Sequence, residues 1–76
     1  MNKPNPPVRV PIGTEWVTLG QLLKLAGAFP TGGACKAAIL RGEIAVNGSI
    51  CRQRGHKLRP GDRVQAGQRE WEVARP

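Results

Sequence analysis

The sequence predicts an α+β fold in which two short helices pack on a small, mostly antiparallel sheet. Three observations lead to this prediction. The stretch 18–26 repeats its apolar residues at helical spacing, and the segment 31–41 lies between a threonine cap and a glycine stop. Downstream, turn sequences separate several short segments that carry β-branched residues, which is typical of antiparallel strands.

The chain of 76 residues is expected to be one domain over residues 8–76, preceded by a disordered lead-in over residues 1–7. The lead-in contains three prolines and little apolar surface, so burial cannot offset the entropy of ordering it. Residues 8–12 alternate weakly and predict an edge strand, a position in which Pro11 is tolerated.

The first helix is predicted from its capping residues and its apolar stripe. Thr18 and Gln21 have the spacing of a capping box, in which each side chain binds a backbone N–H of the other residue. Gly27 is a natural stop for the helix, and Pro30 prevents its continuation. The stripe that faces the core consists of Leu19, Leu22, Leu23 and Ala26.

The second helix is predicted from a Thr31 cap to Arg41, with Gly42 as its stop. Gly32 and Gly33 lower the helix propensity by about 1 kcal/mol each relative to alanine. They also allow another backbone or a phosphate to approach the first N–H groups of the helix. The buried face is predicted to consist of Cys35, Ala38 and Ile39.

The second half of the chain predicts a hairpin followed by two more strands. Asn47-Gly48, between residues 43 and 51, is the favoured residue pair for a type I′ turn. Residues 60–62 predict a further turn, a strand begins at Val64, and residues 67–68 connect it to a last strand that carries Trp71. Both tryptophans are expected in the core or at its edge, because a small core gains most from large apolar side chains.

Several classes of protein are disfavoured. A domain of this size has a thin core, which argues against an enzyme with a deep pocket, and Asp62, the only aspartate, lies in a predicted turn. No apolar run reaches the length of a membrane-spanning helix, and the N-terminus lacks the apolar segment of a secretory signal. Cys35 and Cys51 with a single histidine complete no zinc site, so we expect structural thiols, no metal, no cofactor and a cytoplasmic location.

The charge balance points to an anionic partner. The chain has 12 basic and 5 acidic residues, a net charge of +7, which favours nucleic acid first and a membrane surface second. The basic residues concentrate in the second half, where an acid-free stretch contains Arg52, Arg54, His56, Lys57 and Arg59. Alternate residues of a strand share a face, so Arg52 and Arg54 are expected to project together. A guanidinium binds phosphate in a bidentate way, although such a stretch can also be a solvated loop without function.

The order of elements from Thr18 to Val64 resembles the alpha-L RNA-binding domain, also called the ribosomal protein S-four-like RNA-binding domain. The resemblance lies in the apolar first helix, the end of the second helix at Arg41-Gly42, and the Asn47-Gly48 hairpin. Residues 18–25, 31–36 and 54–58 are similar to a small stand-alone bacterial subfamily. The resemblance covers about two thirds of the chain.

This resemblance implies a non-catalytic protein that binds structured ribosomal or transfer RNA, with the ribosome as a further expected partner, through the second helix and the loop after the hairpin. Many family members have an arginine where this chain has Thr18, and Ser-Arg where it has Thr31-Gly32, so other residues must bind the phosphates. The expected RNA-binding residues are Lys24, Gly32, Gly33, Lys36, Arg52, Arg54, His56, Lys57 and Arg59. The alternative hypothesis is a protein-interaction adaptor on a ribosome or RNA-processing complex. We expect a monomer that does not bind membranes.

Overall fold

The computed structural model describes residues 6–76 and confirms the α+β fold. The elements are β1 (Val8–Pro11), β2 (Val17–Thr18), α1 (Leu19–Leu25), α2 (Gly32–Leu40), β3 (Ile44–Val46), β4 (Ser49–Ile50), β5 (Lys57–Leu58), β6 (Arg63–Ala66) and β7 (Arg69–Ala74). Most of the predicted lead-in over residues 1–7 lies outside the described residues. Within the described residues, neither helix is long and apolar enough to cross a membrane.

The main sheet has five strands in the order β1-β7-β6-β3-β4. Its pairs are antiparallel except for β1 and β7, which run parallel with Val8 opposite Trp71. β1 is therefore an edge strand, as predicted, and the sheet is mostly antiparallel. The sequence did not reveal the parallel partner of β1, nor the separate antiparallel pair formed by β2 and β5.

Both helices begin and end at the predicted caps. The Thr18 hydroxyl accepts from the N–H of Gln21 at 3.2 Å, and the Thr18 N–H donates to the Gln21 side chain at 3.0 Å, which completes the capping box. After α1, Gly27 has φ +64°, and the N–H groups of residues 27 and 28 donate back to the carbonyls of residues 24 and 23. Gly42, with φ +77°, closes α2 in the same way. These are Schellman motifs, which require left-handed backbone and so favour glycine.

The core lies between the helices and one face of the main sheet. The predicted stripe of α1 is buried at Leu19, Leu22 and Leu23, and the predicted face of α2 is buried at Cys35, Ala38 and Ile39. The inner sheet face contributes Val10, Ile44, Val46, Val64, Trp71 and Val73 to the same cluster. Trp71 is thus a core residue, as expected.

The opposite face of the sheet is charged. Arg63 and Glu72 lie opposite each other on β6 and β7, and Glu70 is on the same face because side chains alternate along a strand. The Arg63 guanidinium lies 3.6 Å from the Glu70 carboxylate and 3.7 Å from that of Glu72. This outer face therefore carries two of the chain's five acids.

The predicted hairpin forms with Asn47 and Gly48 at its turn, at φ +50° and +89°. Two positive φ values match a type I′ turn. The Asn47 side chain also reaches the loop before β6. Its amide nitrogen donates to the carboxylate of Asp62 at 3.2 Å, and its oxygen accepts from the N–H of Arg63 at 3.0 Å. The hairpin and the turn at residues 60–62 are thus joined.

Candidate nucleic-acid interface

Backbone hydrogen bonds fix the basic loop, residues 51–56, against the start of α1. The N–H of Leu19 donates to the carbonyl of His56 at 2.8 Å, and the N–H of Gly20 donates to that of Arg54 at 3.0 Å. The loop itself turns at Arg54 and Gly55, where the N–H of His56 donates to the carbonyl of Gln53 at 3.1 Å. Because the first N–H groups of α1 bind the loop, they are not available to a phosphate.

The side chain of Arg54 lies directly on Gly20. A Cβ atom at residue 20 would be only 2.7 Å from Cγ of Arg54, so this packing requires glycine there. The positive charge of Arg54 also acts on the Cys35 thiol of the second helix. Burial raises the pKa of Cys35, whereas the positive charge of Arg54 acts in the opposite direction. Arg54 is therefore held beside both helices.

The two helices and this loop enclose a groove, here called the helical groove. It has a volume of about 510 Å³ and is lined by residues 18, 20, 21, 23, 24, 29–32, 35, 54 and 55. Three of the expected RNA-binding residues, Lys24, Gly32 and Arg54, line this groove. Sequence reasoning did not identify Gly20 as part of it. The available indication was a glycine in the first turn of an otherwise strong helix, where it lowers helix propensity.

The helical groove reaches the N-terminus of α2. The Thr31 hydroxyl accepts from the N–H of Ala34 at 3.0 Å, which caps one backbone donor. Within residues 6–76, the N–H groups of Gly32 and Gly33 have no hydrogen-bond acceptor. Apart from its chain neighbours and the backbone of its own helix, a Cβ atom at Gly32 would meet no atom within 4 Å, and one at Gly33 would meet only the Thr31 hydroxyl at 3.9 Å. The fold itself therefore does not require glycine at either position.

The remaining expected residues are exposed but lie apart. The Arg52 guanidinium is beside Gly42, where a Cβ atom would be 2.7 Å from Nη2, whereas Arg54 is beside Gly20. Residues 51–56 form a loop and not a strand, so side chains do not alternate between two faces there. The expectation that Arg52 and Arg54 share one face for that reason is therefore wrong. The other exposed residues of the set are Gly33, Lys36, His56, Lys57 and Arg59.

Trp16 differs from the expectation for the tryptophans, because 40% of its surface is exposed. The ammonium of Lys57 lies 4.5 Å from the centre of its ring. An aromatic residue thus contacts the basic stretch, although the two are far apart in the sequence. The β2–β5 pair brings them together, and that pair was not predicted.

The charges are distributed unequally between the two sides of the molecule. The ion pairs within residues 6–76 join Arg41 to Glu43, and Arg63 to Glu70 and Glu72. The Asp62 carboxylate is occupied by the side chain of Asn47 and the N–H of Arg59. Within the same residues, no cation of the expected RNA-binding set forms a salt bridge.

Two comparisons with known proteins identify what this chain is similar to. The sequence pattern of the S4 domain family matches residues 10–74, which include both helices, the hairpin and the basic loop. The chain is also 43% identical over 56 residues to a protein of Bacillus subtilis (strain 168) named probable ribosome maturation protein RlbA. That match covers 74% of this chain and 79% of the relative.

Proposed function

The chain belongs to the S4 domain family, and from this premise we propose that it is a non-catalytic protein that binds structured ribosomal or transfer RNA. The name of the Bacillus relative supports a role in ribosome maturation. The proposal treats residues 8–76 as one domain that acts as a monomer in the cytoplasm, without a cofactor.

One observation carries the proposal: within residues 6–76 the cations around the helical groove form no ion pair, whereas the acids of β7 lie on the opposite sheet face. Unpaired cations on one side attract a polyanion, because phosphate binding then breaks no existing ion pair. Arg54 offers a bidentate donor for phosphate, and Lys24 and Lys36 act as point charges. A folded RNA suits such a surface, since double-stranded RNA is recognised through its shape and its phosphates.

Gly32 and Gly33 support a close phosphate contact at the start of α2. Among the described residues, their N–H groups have no hydrogen-bond acceptor, and the absence of side chains leaves space for an anion beside them. Helix propensity would favour alanine at both positions by about 1 kcal/mol. The presence of glycine at two positions that the fold leaves open supports a binding role.

A titration of RNA over a salt series tests the proposal. With about four to six neutralised phosphates, the logarithm of the binding constant should fall against the logarithm of salt concentration with a slope of roughly −3 to −5. Transfer RNA and ribosomal RNA should bind more tightly than heparin or polyphosphate. A slope near zero, or equal affinity for all four polyanions, would contradict the proposal.

Variants that each remove one positive charge test where the RNA contacts the protein. Arg54→Gln and Lys36→Gln should each weaken RNA binding, because the first removes a proposed phosphate contact in the helical groove and the second removes one on the exposed surface of α2. Arg63→Gln is the matched control, since it removes the same charge from the outer sheet face. Equal losses from all three variants would mean that only the net charge matters.

Gly32→Ala separates binding from folding. The variant should raise the free energy of unfolding by about 1 kcal/mol, because alanine is the better helix former. It should also weaken RNA binding, because the new methyl group occupies the space that the phosphate needs. A variant that is more stable and binds RNA as well as the wild type would rule out the contact at this glycine.

A further inference from the structure

The two tryptophans lie in different environments. Trp71 is 5% exposed within the core, whereas Trp16 is 40% exposed. The chain has only three aromatic residues, and a thin core gains from burying each of them. Trp16 is neither a member of the core cluster nor one of the half-buried residues that pack against it, so its ring is an aromatic surface outside the core.

The backbone on both sides of Trp16 is fixed. The Thr14 hydroxyl donates to the carbonyl of Trp16 at 2.7 Å, and the next residue, Val17, pairs with Leu58 in the small sheet. These contacts fix the backbone from which the indole projects. This backbone therefore loses little conformational freedom when a planar group stacks on the ring.

A cation without an acidic partner covers the ring. The ammonium of Lys57 lies 4.5 Å from the centre of the Trp16 ring, and within residues 6–76 Lys57 forms no ion pair. A cation over an aromatic face is a favourable but modest contact when it is exposed to water. The Lys57 ammonium can therefore leave the Trp16 ring when a phosphate offers it a stronger contact.

Trp16 lines a second groove, here called the tryptophan groove, which has a volume of about 1090 Å³. Its apolar walls include Pro11, Ile12, Val17 and Leu25, and Leu25 is 62% exposed. Lys24 lines both this groove and the helical groove. The two grooves therefore adjoin at Lys24, and an RNA strand in the helical groove would lie next to the tryptophan groove.

We propose that Trp16 stacks one unpaired base of the bound RNA, while the ammonium of Lys57 moves from the ring to the phosphate of that nucleotide. This inference rests on the proposed RNA-binding function. An aromatic ring and a mobile cation match the two parts of a nucleotide, its planar base and its phosphate. The RNA recognised would therefore be a folded region that contains an unpaired nucleotide, such as a bulge.

A pair of hairpin RNAs tests this inference: one fully paired, and one identical except for a single bulged adenosine. Each is titrated into the wild type, Trp16→Leu, Trp16→Phe and Ile50→Ala. Trp16→Phe keeps an aromatic face, and Ile50→Ala is the control for an exposed apolar residue, since Ile50 lies 60% exposed on an edge strand. Tryptophan fluorescence gives a second measurement, because Trp71 is buried.

The wild type should bind the bulged hairpin at least about fivefold more tightly than the paired one, because a stacked base adds that much affinity. Trp16→Leu should abolish this preference without changing the affinity for the paired hairpin. Trp16→Phe and Ile50→Ala should retain most of the preference. Only the bulged hairpin should quench the emission that Trp16→Phe removes.

Two results would overturn the inference, and they differ in what else they overturn. If the paired hairpin binds with the expected salt dependence but the bulge adds nothing and Trp16 is not quenched, the stacking role is wrong while the RNA-binding function stands. The tryptophan groove would then be available to a protein partner. If neither hairpin binds, the proposed function fails together with the inference.

Discussion

The guanidinium of Arg69 donates a hydrogen bond from Nη2 to the carbonyl oxygen of Ala28 over 2.9 Å. The same group lies 5.7 Å from the centre of the Phe29 ring and 5.1 Å from that of Trp71. Arg69 is on the inner face of β7, so it joins the sheet to the connection between the helices that line the helical groove. Arg69 thus stabilises the fold, whereas the cations expected to bind RNA form no ion pair within residues 6–76.

Arg69→Ala should lower the free energy of unfolding by about 1–2 kcal/mol, because it removes a charged hydrogen bond and the contacts with two rings. Arg69→Lys should be intermediate, since a lysine keeps the charge but not the planar group. Urea denaturation measures both changes. If Arg69→Ala lowers the free energy of unfolding by less than about 0.5 kcal/mol, Arg69 stabilises the protein no more than an ordinary surface residue does.

Gly20→Ala should weaken RNA binding with little change in stability. Alanine improves helix propensity by about 1 kcal/mol, but its Cβ would be 2.7 Å from Cγ of Arg54 and would displace that side chain. RNA titration and thermal unfolding test the two effects. Adding Arg54→Ala to Gly20→Ala should cause little further loss of affinity; a full additional loss would mean that Arg54 binds RNA from another position.

Asn47→Ala and Asn47→Gly should separate two contributions to the hairpin. Both variants lose the hydrogen bonds to Asp62 and to the N–H of Arg63. Only alanine is also strained at φ +50°, by about 1 kcal/mol or more. Asn47→Ala should therefore be the less stable variant in urea denaturation. Equal stability of the two variants would indicate that the backbone relaxes at this turn.

Cys35 should react with iodoacetamide more slowly than Cys51 in the folded protein. Cys35 is buried and Cys51 is partly exposed, and burial raises the pKa of Cys35, so its reactive thiolate is scarce at neutral pH. Arg54→Ala should slow the reaction of Cys35 further, because it removes the charge that favours the thiolate. Mass spectrometry over time, with urea-unfolded protein as the control, measures the rates. Faster alkylation of Cys35 would contradict the buried assignment.

Local sequence information was sufficient for the helices and turns. The caps at Thr18 and Thr31, the stops at Gly27 and Gly42, and the Asn47-Gly48 turn each depend on residues within a few positions of one another. The family resemblance, which rested on the order of these elements, was confirmed by the match to the S4 domain family. Such features are visible in sequence because their physical cause is local.

The site was less predictable because its contacts are distant in sequence. The contact of Arg54 with Gly20, and that of Lys57 with Trp16, both depend on how the basic loop lies against α1. The β2–β5 pair that fixes this arrangement has two residues on each strand, too few to produce a recognisable alternation. Charge counting identified the basic stretch but could not show that its arginines lie in separate places.

The parallel pairing of β1 with β7 affects the order in which the molecule assembles and opens. The helix pair and the β3–β4 hairpin join residues that are close in sequence, whereas Val8 meets Trp71 across almost the whole described chain. Closing so long a loop has the larger entropic cost, so β1 should dock late in folding. As a short edge strand it should also detach first in local opening. Because Pro11 and Ile12 line the tryptophan groove, each such opening would dismantle that groove while leaving the helical groove intact.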